Sequence, residues 1–212
     1  SLVDKSMVVA DRRQPVTRYW LLETLRQFAV ERLAECGLEA QVRAAHIEHF
    51  NALAGQIRRA NEIDDGPPQA TLQREWDNFR AATQWALESG DIDRAASLAA
   101  NLSMALDTSR DEHQRWVVAV LEVLPEDHRL AAVLYCLAGW WANLLGDHHE
   151  ALRLAHHGLA AGSSSTFEQI LLRVVIGEAR VHLGQPAEAL AAAQDVIALS
   201  PVDRDVRLGL ML

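Results

Sequence analysis

Cysteine is scarce in this chain of 212 residues: two are present, Cys36 and Cys136, and they lie far apart. No CxxC pair occurs, which excludes a zinc clip of the usual spacing and gives no sign of a disulfide framework. The expectation is two small core thiols in a reducing compartment, and so a cytoplasmic protein with no metal and no cofactor. An apolar run of the ~20 residues that a membrane span needs is also missing, and so is a signal peptide. No membrane partner is expected. Catalytic signatures are lacking too. There is no G-x-x-x-x-G-K-[ST], no G-x-S-x-G and no H-E-x-x-H. The Gly162-Ser-Ser-Ser165 run has no Lys and no preceding strand, so it reads as a linker. Asp91, Asp111 and Asp147 fall at helix starts, where carboxylates serve as caps or first-turn residues. The chain is expected to be non-catalytic.

What is present favours a folded protein. Half of the residues are hydrophobic and 23% are charged, a composition that can bury a core. The net charge of −9 is unevenly spread. Residues 1–60 hold 9 basic and 7 acidic side chains, a balance of +2. The remainder holds 11 against 22, a balance of −11. An acidic body argues against nucleic-acid binding.

The strongest internal signal is a repeat. Gly139-Trp-Trp-Ala-Asn-Leu-Leu-Gly146 runs on to Glu150-Ala-Leu and Ala155. Gly177-Glu-Ala-Arg-Val-His-Leu-Gly184 runs on to Glu188-Ala-Leu and Ala193. The offset is 38 at every matched position. Self-similarity at such a period marks a helical repeat array, whose extended concave faces bind rather than catalyse.

The rest of the chain arranges itself around that array. Met7-Val-Val-Ala and Val16 to Leu22 are β-rich and flank the polar turn Asp11-Arg-Arg-Gln-Pro15, which predicts a β-hairpin. From Glu23 the period turns helical, with Leu25, Phe28, Ala29 and Leu33 on one face and Gly37 as the stop. A second helix spans about Glu39 to Arg59. Its apolar face is Val42, Ala45, His46, His49, Phe50, Leu53 and Ile57. Gly-Pro-Pro at 66–68 cannot continue a helix. Further helices are predicted at Ala70–Glu88, Asp91–Leu106, Asp111–Leu124, Glu126–Leu145, His148–Ala160, Thr166–Leu183 and Pro186–Leu199. Expected units are therefore 1–60, a linker at 61–69, degenerate repeats over 70–125 and regular repeats over 126–212. Residues 203–212 begin a further helix, and the chain reads as a piece of a larger protein.

Residues 133–163 and 171–201 resemble the tetratricopeptide repeat. Gly139, Gly146 and Ala151, and then Gly177, Gly184, Ala189 and Pro201, stand at the small and turn positions of that repeat. Small residues there let paired helices approach closely. Ser163 replaces the closing Pro of the first unit, and Ala155 and Ala193 replace its usual aromatic. The resemblance implies an all-α, tetratricopeptide-like superhelix behind a small N-terminal hairpin. It also implies that first-helix residues line the groove. Those are Val133, Cys136, Trp140 and Asn143, then Leu171, Val174, Glu178 and Val181. Such a mostly apolar strip suits a protein, a peptide or a small hydrophobic effector.

The N-terminal part resembles another module. Leu2-Val-Asp-Lys-Ser-Met-Val8, then Arg18-Tyr-Trp-Leu-Leu-Glu-Thr-Leu-Arg-Gln-Phe-Ala29, then His46 and His49-Phe50, look like the end of the winged helix in bacterial STAND-type regulators. These are LuxR-like or AfsR-like NTPases. Trp76-Asp-Asn-Phe-Arg-Ala-Ala82 resembles the segment that opens their helical repeats. The resemblance implies a sensor or interaction arm that restrains the NTPase domain of the same parent protein, with the winged helix before the repeats. The start of the last winged-domain helix in related signalling NTPases carries Met-His-Asp, whose His faces the nucleotide. The matching stretch here is Leu21-Leu22-Glu23. Leu22 cannot donate to a phosphate, which counts against direct nucleotide sensing.

Several residues have plainer roles. His46 and His49 share a helix face, but only Glu48 is near and it points elsewhere, so packing is expected rather than a metal. His148-His149 and His156-His157 are adjacent pairs, and neighbours on a helix point about 100° apart, so neither pair chelates well. Trp76 and Trp116 are expected in the core. Arg12, Arg13 and Arg18 flank the hairpin turn and could meet DNA phosphates. Phosphate contacts alone specify no site, and the recognition helix of such a module would precede residue 1. Direct nucleic-acid contact is therefore not expected. A scaffold for assembly without any switch is the alternative to the sensor arm.

Overall fold

The computed structural model describes residues 2–12, 17–62, 69–102, 110–162 and 165–199. Among them are nine helices and one two-stranded hairpin, an all-α helical repeat array with a small N-terminal β element. The elements are β1 (Val8–Asp11), β2 (Arg18–Leu21), α1 (Glu23–Glu35), α2 (Glu39–Glu62), α3 (Gln69–Glu88), α4 (Ile92–Asn101), α5 (Arg110–Leu121), α6 (Ala131–Leu144), α7 (His148–Ala161), α8 (Thr166–His182) and α9 (Pro186–Leu199). Contacts divide the chain into two compact units, 1–46 and 47–212. The division falls inside α2, upstream of the break expected at 61–69. Residues 63–68 lie outside the described part.

In the first unit β1 and β2 pair antiparallel, with Val8 opposite Leu21 and Asp11 opposite Arg18. The expected hairpin is therefore present, although its turn residues 13–16 are not among those described. Leu22 stands at the N-cap of α1 but its side chain caps nothing, and Gly37 follows the helix end with φ +68. No residue of α1 is buried.

The second unit is a continuous stack. On α2 the buried stripe is Ile47, Phe50, Ala54 and Ile57, a clean three-and-four spacing. The sequence placed that face slightly differently: Val42 is exposed and His49 also faces outward. Ile47 and Ala54 fit the core because they carry no ring nitrogen to satisfy. α3 and α4 form a hairpin, and α4 packs on α5 and α6. α6 and α7 form the next hairpin, and α8 and α9 the last. α8 lies against both α6 and α7.

The repeated turns are chemically alike. At Gly146 the N–H donates to the Asn143 carbonyl (3.0 Å), and the Asp147 N–H donates to that of Ala142 (2.8 Å). At Gly184 the partners are Val181 (3.0 Å), and Arg180 for the Gln185 N–H (2.9 Å). Both glycines have positive φ, +82 and +69, which L side chains adopt at a cost. The Asp91 and Asp147 side chains then accept from Arg94 N–H and Glu150 N–H, capping α4 and α7. Ser165, read as part of a linker, caps α8 by accepting from Glu168 N–H (3.3 Å).

Two helix glycines set the spacing between hairpins. A Cβ on Gly139 would lie 3.1 Å from Val175 Cγ1 and 3.4 Å from the Ala151 carbonyl oxygen. A Cβ on Gly158 would lie 2.6 Å from Leu172 Cδ2 and 3.0 Å from Tyr135 Cβ. These are the close approaches that the repeat's small residues permit.

α6 starts later than the sequence suggested. Residues 126–130 form a turn in which His128 N–H donates to the Pro125 carbonyl and Ala131 N–H to that of His128. His128 Nε2 also meets Asp93 Oδ1 at 3.0 Å, a contact across 35 positions. The expected pair of core thiols is half right: Cys136 is buried but Cys36 is exposed.

Candidate functional site

The expected groove residues sit on α6 and α8, but the structure does not present all of them to solvent. Asn143 is buried at 9% exposure and acts as a clasp between the two helices. Its Nδ2 donates to the Val175 carbonyl at 2.9 Å and approaches Glu178 Oε2 at 3.5 Å. Its Oδ1 faces His148 Nδ1 at 3.2 Å, which fits a proton on that nitrogen. The His148 ring stacks on His182 at 4.5 Å with an interplanar angle of 7°. Cys136 is also buried. Burial, reinforced by the charge of Glu168, pushes its thiol up to about 12, so it is an inert packing group.

That leaves Val133, Trp140, Leu171, Val174 and Glu178 half-buried and Val181 exposed. Val133, Trp140 and Leu171 rest on the core while keeping part of their surface open. The face offers apolar area, one indole and one carboxylate. Its chemistry suits contact with an apolar or amphipathic partner, and no nucleophile stands on it.

Other residues resolve into packing. Trp76 and Trp116 are buried and stack at 5.0 Å. Trp76 Nε1 donates to Glu112 Oε2 at 2.7 Å, and Arg80 donates to both Glu112 oxygens. The Arg80 guanidinium holds the Glu112 carboxyl below the usual carboxylate range. His149 and His156 are exposed, while His157 lies against Tyr135 at 5.7 Å. Among the described residues, no three His, Cys, Asp or Glu side chains are grouped to hold a metal ion. Of the three arginines near the hairpin turn, Arg18 lies on β2, Arg12 follows β1, and Arg13 falls outside the described residues.

Two features escaped the sequence. His113 on α5 is fully buried, and its Nε2 lies 2.7 Å from the Ala99 carbonyl. A carbonyl only accepts, so Nε2 of this imidazole carries a proton. Burial depresses it to about 4, the Ala99 bond opposing. Nothing in its local sequence marks it, because the partner comes from another helix. The second is a concavity of about 490 Å³ between α5, α6 and α7. It borders the α6 face that carries Tyr135, Ala138, Ala142 and Leu145. Those positions are offset by two from the groove face, or roughly 200° around the helix.

The geometry so far defines an all-α helical-repeat array with a small N-terminal hairpin. Among the described residues, no helix is long and apolar enough to cross a membrane. The chain is similar to proteins named "Putative HTH-type transcriptional regulator" in Mycobacterium tuberculosis (strain H37Rv) and in Mycobacterium bovis, each 46% identical over 101 residues. The matched stretch is 48% of this chain but only 11% of each relative's length. No family model and no solved structure matches the chain.

Proposed function

We propose that this chain is the non-catalytic sensor or protein-interaction arm of a bacterial STAND-type transcriptional regulator of the LuxR-like or AfsR-like kind. An effector or partner, a peptide or a small hydrophobic molecule, docks along Val133, Trp140, Leu171, Val174 and Val181. Its binding releases the NTPase domain of the same parent protein and so switches output. Residues 1–60 hold the end of the winged helix with its connecting helices, and the repeats are tetratricopeptide-like. The observation that carries this reading is the 46% identity to mycobacterial proteins named as HTH-type regulators, which are far longer than the matched stretch. The half-open apolar strip with Trp140 supports it, since such faces receive amphipathic partners. The test is deletion of residues 70–212 from the parent protein, with a reporter for its target promoter. Output should become independent of the inducing condition. Unchanged, still inducible output would sink the reading.

A scaffold without a switch is favoured by one observation: Val181 (46%), Leu190 (60%) and Ile197 (40%) are exposed on the last two helices. It predicts self-association that is independent of any effector and that Val181→Glu abolishes in sedimentation.

A further inference from the structure

The concavity between α5, α6 and α7 has the size of a small-molecule site, about 490 Å³. Its apolar wall includes Leu121, Ala138, Ala142 and Leu154. Two alanines four positions apart on α6 lie on one helix face, and their short side chains leave the depth open. Tyr135 adds an aromatic ring.

The charges around it are one-sided. Glu122, Asp147 and Glu150 line the space against one guanidinium, Arg153. That guanidinium is already engaged. Its Nε donates to Glu150 Oε2 at 2.7 Å and its second nitrogen to Oε1 at 2.5 Å. The pair is forked and self-contained. Asp147 accepts one backbone N–H, from Glu150, at 3.1 Å. Glu122 and Asp147 have no ion-pair partner among the described residues. Two exposed carboxylates without an ion-pair partner therefore stand at the mouth, beside apolar surface.

We propose that this cavity binds a small organic cation with an apolar body, an ammonium group carried on a hydrocarbon or aromatic frame. An anion would face two carboxylates with no free cation to receive it. A neutral apolar ligand would leave the carboxylates of Glu122 and Asp147 without a counter-charge. A bare inorganic cation would leave the alanine and leucine wall unused. An organic ammonium answers both halves, and the Tyr135 side chain lines the same space. The site stands on the side of α6 away from the groove, so the inference does not rest on the groove reading.

The test is calorimetric titration of the whole 212-residue protein with three probes of similar shape. They are benzyltrimethylammonium, neutral benzyl alcohol and anionic phenylacetate. The cation should bind about tenfold more tightly than either of the others. Glu122→Gln with Asp147→Asn should weaken it by about tenfold, and Asn keeps the α7 cap intact. Val118→Trp, at the exposed rim, should block it without touching the core. A thermal melt of each variant confirms the fold. Equal binding of the neutral probe, preference for the anion, or no binding at all would overturn the proposal. Cation binding that survives both variants would overturn it as well, since it would then be ion pairing elsewhere on an acidic surface.

Discussion

Residues 1–46 and the array from 47 onward contain the same kinds of apolar side chain and place them differently. In the array Phe79, Leu98, Leu134 and Trp141 are at most 1% exposed. In the first unit Tyr19 is 62% exposed, Phe28 54% and Trp20 45%, and α1 buries nothing. Both regions have regular hydrogen-bonded backbones. The difference teaches that local regularity is not stability, because helices in water draw most of theirs from packing one face. The largest effect should expose this contrast. Phe79→Ala should cost about 3–5 kcal/mol in urea unfolding, whereas Phe28→Ala should stay within about 0.5 kcal/mol. Equal costs would abolish the distinction between the units.

The same contrast governs what the sequence could reveal. Turns and caps are local. Gly146, Gly184, Asp91 and Asp147 announce themselves within a few residues, and each stands where its pattern placed it. The hairpin and the helix order were legible for the same reason. Features that depend on a distant partner were not. The start of α6 slipped from Glu126 to Ala131 because His128 is tied to Asp93 on α4. His113 carries no local mark, since its role is set by the Ala99 carbonyl. The repeat register put Val133, Trp140, Leu171 and Val174 forward as groove residues. The register could not tell that α8 covers Asn143, whose amide binds Val175, and leaves Trp140 half open.

His113 sharpens the comparison through pH. Its folded value is depressed to about 4 from an ordinary 6.5, chiefly by burial. Between those values the unfolded chain binds the extra proton and the folded one does not. Stability is therefore complete above about pH 6.5 and falls as pH drops toward 4, by roughly 3 kcal/mol in all. Urea midpoints across that window should show the loss in the array. His113→Gln should remove this component of the slope. A slope that the substitution leaves unchanged would assign the effect to other groups.

Next in size is the approach of α7 to α8. Gly158→Ala would place a methyl 2.6 Å from Leu172 Cδ2 and 3.0 Å from Tyr135 Cβ. Leu172 is fully buried and has little room to yield. Overpacking of this kind costs about 1–3 kcal/mol. Thermal melts should show it, and a neutral result would mean that the two helices can separate without loss.

The smallest effects concern helix starts, and they bear on both units at once. α7 is capped by Asp147, while Leu22 at the N-cap of α1 makes no side-chain cap. Asp147→Ala removes a hydrogen bond to an otherwise orphan N–H and should cost about 1 kcal/mol. Leu22→Asp adds the missing acceptor at α1. Leu22 is 47% exposed, so the change gives up little burial. It should raise amide protection in α1 by about 0.5–1 kcal/mol. Hydrogen exchange read residue by residue separates the two outcomes. If the units open independently, the Leu22→Asp gain stays within α1 and the protection of α6 to α8 does not move. A matching gain in the array would show that the two units unfold as one.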